Sequence, residues 1–296
     1  MLKKSLILTF SRTSYENDVS SLSYLSNIQE TILTLIKLKE RNLQKEDITL
    51  EIANCTYINP GVLPIIGSWG KMLQQHEIHG SLNFSKSHVN VIEYIGKSGL
   101  YTHYTGKGIA SKNAIPFTGI HTIEEAQNQI DFVMQKAPVN LNTEVEDIIS
   151  SKLLEIFLNS FEHGSSQYPI FSCGYWRPHH NTLTFSIYDL GVGIPYNVRQ
   201  FLGPESSNYT DISCIKKAIR DGFSTAKATY PRGLGLGVLI DFVKLNKGTM
   251  TLCSGKGHYS IDNNANVHYN ELNASLLGTL FTIDIKADND HIYTLA

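Results

Sequence analysis

Short apolar runs alternate with stretches of helical periodicity through the first hundred residues. Residues 6–10 (LILTF) predict a strand. Over residues 18–41, Leu22, Leu25, Ile28, Ile32, Leu35 and Ile36 recur three and four apart, which puts them on one helical face. Residues 48–53 (ITLEIA) predict a second strand, and Tyr57-Ile58-Asn59-Pro60-Gly61 is a turn by composition. A helix then starts between Pro60 and Pro64 and runs to about residue 75, since proline is tolerated only in its first turn. Residues 81–84 give another strand and 88–97 another helix. This alternation predicts a small α/β unit with a mostly parallel sheet.

The second half has a different rhythm. Residues 101–122 are rich in Gly, Lys, Ser and Thr without periodicity and read as a linker. Helices are expected over 123–136 and 143–164. In the latter, Thr143 and Glu146 form a capping box and Gly164 is a stop signal. Ile149, Leu153, Ile156, Phe157 and Phe161 share one face, while Glu155, Asn159 and Glu162 gather on the other. Strands are expected at 169–175 and 182–188, split by the turn RPHHN, and at 249–254, 258–261, 267–270 and 279–285. The resulting expectation is an α+β fold, an antiparallel-rich sheet with helices on one face. The domain boundary falls at 118/119.

Length and charge narrow the choice. At 296 residues the chain suffices for two cores, and a net charge of −2 gives no electrostatic reason to expect nucleic acid or an anionic membrane. Cys55, Cys173, Cys214 and Cys253 are scattered without a CxxC, which favours reduced thiols over a zinc site. His76, His79, His179 and His180 lack partners at ligand spacing. No apolar run reaches the ~18 residues of a membrane helix, and the start carries no signal-peptide pattern. A cytoplasmic protein is expected.

Two glycine-rich turns carry the candidate chemistry. Asp189-Leu190-Gly191-Val192-Gly193 follows a strand, so that backbone can approach a flat ligand while the acid accepts from an amino group. Arg232-Gly233-Leu234-Gly235-Leu236-Gly237 precedes an apolar helix, where unsatisfied N–H groups and the helix dipole favour an anion. The second turn is neither a Rossmann fingerprint nor a P-loop, because both the spacing and the closing Gly-Lys-Ser/Thr are missing.

In order, Glu155 and Asn159 on a helix, DLGVGIP, RGLGLG and Gly278-Thr279 opening a last strand resemble the GHKL ATPase superfamily of gyrase, the heat-shock chaperone, histidine kinases and MutL. The resemblance spans roughly residues 120–290 and implies bound ATP and Mg²⁺. It implies Asn159 as the metal ligand, Glu155 as the base, and Asp189 as the adenine reader with Thr279 in support. Gly191 and Gly193 lie against the base, and Gly233, Gly235 and Gly237 cradle phosphates. The stretch 196–232 corresponds to the lid, in which Lys227 and Arg232 are the candidates for phosphate contact. His163 falls near the phosphates, although a histidine at a helix C-terminus is equally accounted for by the dipole.

Residues 45–100 resemble the STAS domain of anti-sigma-factor antagonists. They depart from it at the turn, where Asn59, Pro60 and Gly61 offer no phosphorylatable hydroxyl. Together the two resemblances imply a Mg-dependent ATPase or an anti-sigma-type serine/threonine protein kinase with a protein partner, and leave a homodimer open. The alternative is a non-catalytic, ATP-dependent binding switch that docks its partner through the STAS-like half. His121 has no dimerisation helix pair beside it, which disfavours a histidine kinase.

Overall fold

The computed structural model describes residues 5–40, 47–136, 139–141, 143–164, 166–220, 235–286 and 288–293. The chain runs β1 (Ser5–Ser11), β2 (Ser14–Tyr15), α1 (Val19–Glu40), β3 (Asp47–Ala53), β4 (Tyr57–Ile58), α2 (Leu63–Gln75), β5 (Gly80–Asn83), α3 (Val89–Lys97) and α4 (Leu100–Thr105). It continues through β6 (Ala114–Ile120), α5 (Ile123–Lys136), β7 (Val139–Leu141), α6 (Thr143–His163), β8 (Ile170–Arg177) and β9 (Thr182–Asp189). Last come α7 (Gly193–Leu202), α8 (Asp211–Ala218), α9 (Gly235–Asn246), β10 (Thr249–Ile261), β11 (Val267–Lys286) and β12 (Asp288–Tyr293).

The first half carries the expected parallel sheet in the order β1-β3-β5, with Leu6 opposite Ile48 and Leu50 opposite Leu82. The turn before α2 is a single 3₁₀ turn, Pro60–Val62. The Asn59 side chain caps it by accepting from the Gly61 N–H at 2.7 Å.

The second half is α+β. Its sheet has the order β10-β11-β9-β8-β6, and all four ladders are antiparallel. One expectation is corrected here. Residues 114–120, read as linker, form the edge strand β6, with Gly119 opposite Phe171. Its sequence AIPFTGI contains a proline, which an edge strand can hold because its outward N–H has no ladder partner to lose. The stretch 196–232, read as the lid, holds most of α7 and all of α8 in its described part.

Helices α5, α6 and α9 cover one face of this sheet. Ile130, Ile149, Leu153, Phe157 and Phe242 pack there against Phe185, Ile187 and Ile283 in one continuous core. The other face is not bare, which corrects the expectation of helices on one side alone. A second core joins Leu22, Leu25 and Ile28 of α1 and Ile65 and Trp69 of α2 to Phe171, Tyr188, Leu276 and Leu280 of the sheet. The polar groups of that face find partners across the junction. Ser186 Oγ donates to the Gly61 carbonyl at 3.0 Å, and Ser23 Oγ accepts from the Asn273 N–H at 3.1 Å. The two halves therefore share an interior, and the Asn59–Gly61 turn is part of the seam. Among the described residues no helix is long and apolar enough to cross a membrane.

Candidate functional site

Asp189 ends β9, opposite Thr279 on β11. Its side chain is buried, with Oδ1 accepting from the Gly191 N–H at 2.8 Å and Oδ2 facing the Ser160 hydroxyl at 3.3 Å. Burial pushes its carboxyl up to about 6, against the pull of the Gly191 N–H, the Ser160 hydroxyl and the Thr279 N–H.

The turn after Asp189 is built from glycines for reasons internal to the protein. The Val192 N–H donates to the Gly164 carbonyl at 2.9 Å, so the end of α6 lies directly on the loop. A Cβ on Gly191 would stand 2.2 Å from that same carbonyl oxygen. Gly193 opens α7 at φ +80°, beside the Ser254 hydroxyl. Ser254 Oγ in turn donates to the Gly278 carbonyl at 2.8 Å and sits 3.1 Å from Thr279 Oγ1. Thr279, half-buried, is thus tied into the wall beside Asp189.

Helix α6 reaches this end of the sheet with its C-terminus, bringing Ser160 to Asp189. Helix α9 packs on the same face of the sheet. Its last residue, Asn246, bonds Lys286 at the far end of β11, where Lys286 pairs Thr182 rather than Asp189. Its twelve residues span roughly 18 Å at 1.5 Å per residue, and the positive end of its dipole is at Gly235.

Glu155 and Asn159 lie one turn apart on α6, at a spacing that makes their side chains neighbours. Asn159 is exposed. Glu155 is about one-fifth exposed and pairs with Lys152 at 3.4 Å. Gly237 is half-buried in the first turn of α9. Lys227, Arg232 and Gly233 lie outside the described residues, as do the surroundings of Gly235 and the side chain of His163. Among the described residues no three His, Cys, Asp or Glu side chains cluster as metal ligands, and all four cysteines are free and buried.

Ser160, Ser254 and Tyr188 were not singled out by sequence reasoning. For Ser160 a signal existed, because it continues the buried stripe of Val145, Ile149, Leu153 and Phe157 at the next helical interval. Ser254 carries no such signal, since its role depends on strand register. No family model matches the chain, and no curated protein does.

Proposed function

We propose that the second half of the chain, from β6 onward, binds ATP with Mg²⁺ as GHKL-type ATP-binding domains do, and that the first half is a STAS-like module fused to it. The observation carrying this reading is Asp189, a buried carboxyl at the end of β9 that accepts from the Gly191 N–H of the glycine turn that follows it. A flat base bearing an amino group suits that carboxyl, and the triphosphate suits the N-terminus of α9. Asn159 supplies a hard oxygen of the kind Mg²⁺ prefers. Bound Mg²⁺ neutralises phosphate charge. Glu155, one turn away, orients or deprotonates the attacking water or hydroxyl, a contribution of ~10²–10⁴-fold. Thr279 supports the base, and Lys227, Arg232, Gly233, Gly235 and Gly237 belong to the phosphate side.

The activity that follows is Mg-dependent ATP hydrolysis or phosphoryl transfer to a hydroxyl of a protein partner. A second reading, an ATP-driven binding switch without turnover, is favoured by the Lys152–Glu155 pair, which holds the proposed base in an ion pair. A ligand moves such a switch only by its different affinity for the two states.

The test uses the full chain with Mg-ATP, following nucleotide binding, phosphate release and labelling of added protein. Asp189→Asn is expected to lose nucleotide binding while keeping the fold. Glu155→Ala is expected to keep binding and lose turnover, or, under the switch reading, to change nothing. Wild type that fails to bind adenine nucleotide at millimolar concentration sinks the proposal.

A further inference from the structure

The edge of a sheet carries a row of backbone N–H and C=O groups that can pair with another chain. The two larger sheets of this protein end in β6, β10, β5 and β1. Three of these edges are blunted. Strand β6 carries Pro116 and a register break between Ile115 and Thr118. Strand β10 breaks register between Ser254 and Gly257, and the Lys256 N–H donates to the Asp211 carboxylate at 2.7 Å. Strand β5 has only four residues and starts at a glycine. Proline, bulges, short length and a covering neighbour are the devices by which natural sheets avoid edge-to-edge association.

Strand β1 has none of them. Its seven residues, SLILTFS, hold no proline, no glycine and no charge, and its ladder to β3 runs without a break. Among the described residues no other strand pairs with it. Ile7 is 59% exposed on the outer face, where Thr9 is exposed as well. On the inner face Leu6, Leu8 and Phe10 are only half-buried, although their ladder partners Ile48, Leu50 and Ile52 are buried. The apolar layer under the sheet thus runs out to an open, unprotected edge.

We infer that β1 pairs antiparallel with β1 of a second copy across a two-fold axis, joining the two three-stranded sheets into one. Full overlap of the seven residues puts Leu8 on the axis. Leu6 then faces Phe10 of the second copy on the inner side, and Ile7 faces its Thr9 on the outer side. Aliphatic and aromatic side chains so opposed stabilise a ladder, and the strand brings no like charges opposite each other. The lack of charge also selects the occupant, because an acidic or basic peptide finds nothing on this strand to complement. A two-fold contact uses the same patch on both copies and closes on itself. One strand pair is small beside the ~1,200–2,000 Å² of a stable interface, and the flanking charges in sequence, Lys4 and Arg12, are both positive. A dissociation constant in the micromolar range is therefore expected. The inference is independent of the nucleotide reading.

The test is sedimentation velocity of the full chain from micromolar to hundreds of micromolar, with amide hydrogen exchange at both ends of that range. Wild type is expected to pass from monomer to dimer, and the outward amides of residues 5–11 to exchange several-fold more slowly in the dimer. Ile7→Lys places a charge on the edge at an exposed position, so the fold is expected to persist while the dissociation constant rises about tenfold or more. Ile109→Lys, in the loop after α4 and 90% exposed, is the control and is expected to leave the dimer unchanged. Wild type that stays monomeric at hundreds of micromolar overturns the inference. So does a dimer that Ile7→Lys leaves intact, an equal loss in Ile109→Lys, or a dimer whose β1 amides stay unprotected. Open-ended oligomers overturn it too, since they would join β1 to a different edge.

Discussion

The side-chain amide of Gln29 donates to the hydroxyl of Tyr188 at 2.7 Å across 159 residues of sequence. Tyr188 passes the connection on by donating to the Leu277 carbonyl at 2.7 Å, and the Leu277 N–H returns to Gln29 Oε1 at 3.0 Å. The triangle fastens α1 to β9 and β11 one residue from both Asp189 and Gly278. The first half thereby braces the candidate nucleotide site from behind.

Tyr188→Phe leaves the Gln29 amide and the Leu277 carbonyl each short of a partner in the interior. A loss of about 2–6 kcal/mol in unfolding free energy is expected, at about 1–3 kcal/mol per unsatisfied group. Denaturant titration measures it. Gln29→Leu combined with Tyr188→Phe should cost clearly less than the sum of the two single changes, because they break one network.

Asp189 sets a pH dependence of defined sign. Its folded pKa, about 6, stands above the ordinary 3.8, so the folded chain holds the proton more tightly than the unfolded one. The stabilisation from protonation is complete below about pH 4 and is lost as pH rises through about 6. Asp189→Asn removes that dependence. Its stability at pH 7 should equal or exceed wild type, by up to about 3 kcal/mol at about 1.4 kcal/mol per unit. Chemical denaturation at pH 4, 5, 6 and 7 reads the slope, and a steeper slope in the variant contradicts the assignment. Under the nucleotide reading, wild-type affinity for ATP should also weaken below pH 6, where the acceptor is protonated.

Gly278 adopts φ +79°, and a Cβ there would stand 1.9 Å from the Asp189 carbonyl oxygen. Gly278→Ala adds left-handed strain to a collision with backbone that cannot rotate away. A loss of about 3–5 kcal/mol is expected, at the upper end for single substitutions. Thermal unfolding monitored by circular dichroism measures it.

Residues 107–296 produced alone retain β6 but expose Phe171, Tyr188, Leu276 and Leu280, which α1 and α2 otherwise cover. Such a fragment is expected to aggregate on size-exclusion chromatography, since an open apolar face of this kind seeks a partner. The full chain should unfold in one cooperative transition. A monomeric, natively melting fragment would refute the shared interior.

Local signals reached the elements and stopped at their assembly. The leucine and isoleucine spacing of α1, the Thr143–Glu146 cap of α6 and the β-branched run of β3 each declare a period without reference to the rest of the chain. The Asp189 turn was also legible as a strand end followed by glycines. The sequence of β9, TLTFSIYD, alternates Leu183, Phe185 and Ile187 with Thr182, Thr184, Ser186 and Tyr188, a pattern that reads as one dry and one wet face. Yet every residue of β9 is buried. The Gly61 carbonyl, Asp284 and Gln29 come from distant parts of the chain to meet those hydroxyls. A hydroxyl satisfied by water and one satisfied by a remote backbone carbonyl look the same in sequence, because the pattern records polarity and not the partner. By itself the sequence determined most of the helices and strands, though not α4, β6, α7 or α8, and where the acidic turn lies. Only the tertiary structure decided that the first half closes the sheet's second face, since that outcome depends on pairing groups up to 250 residues apart.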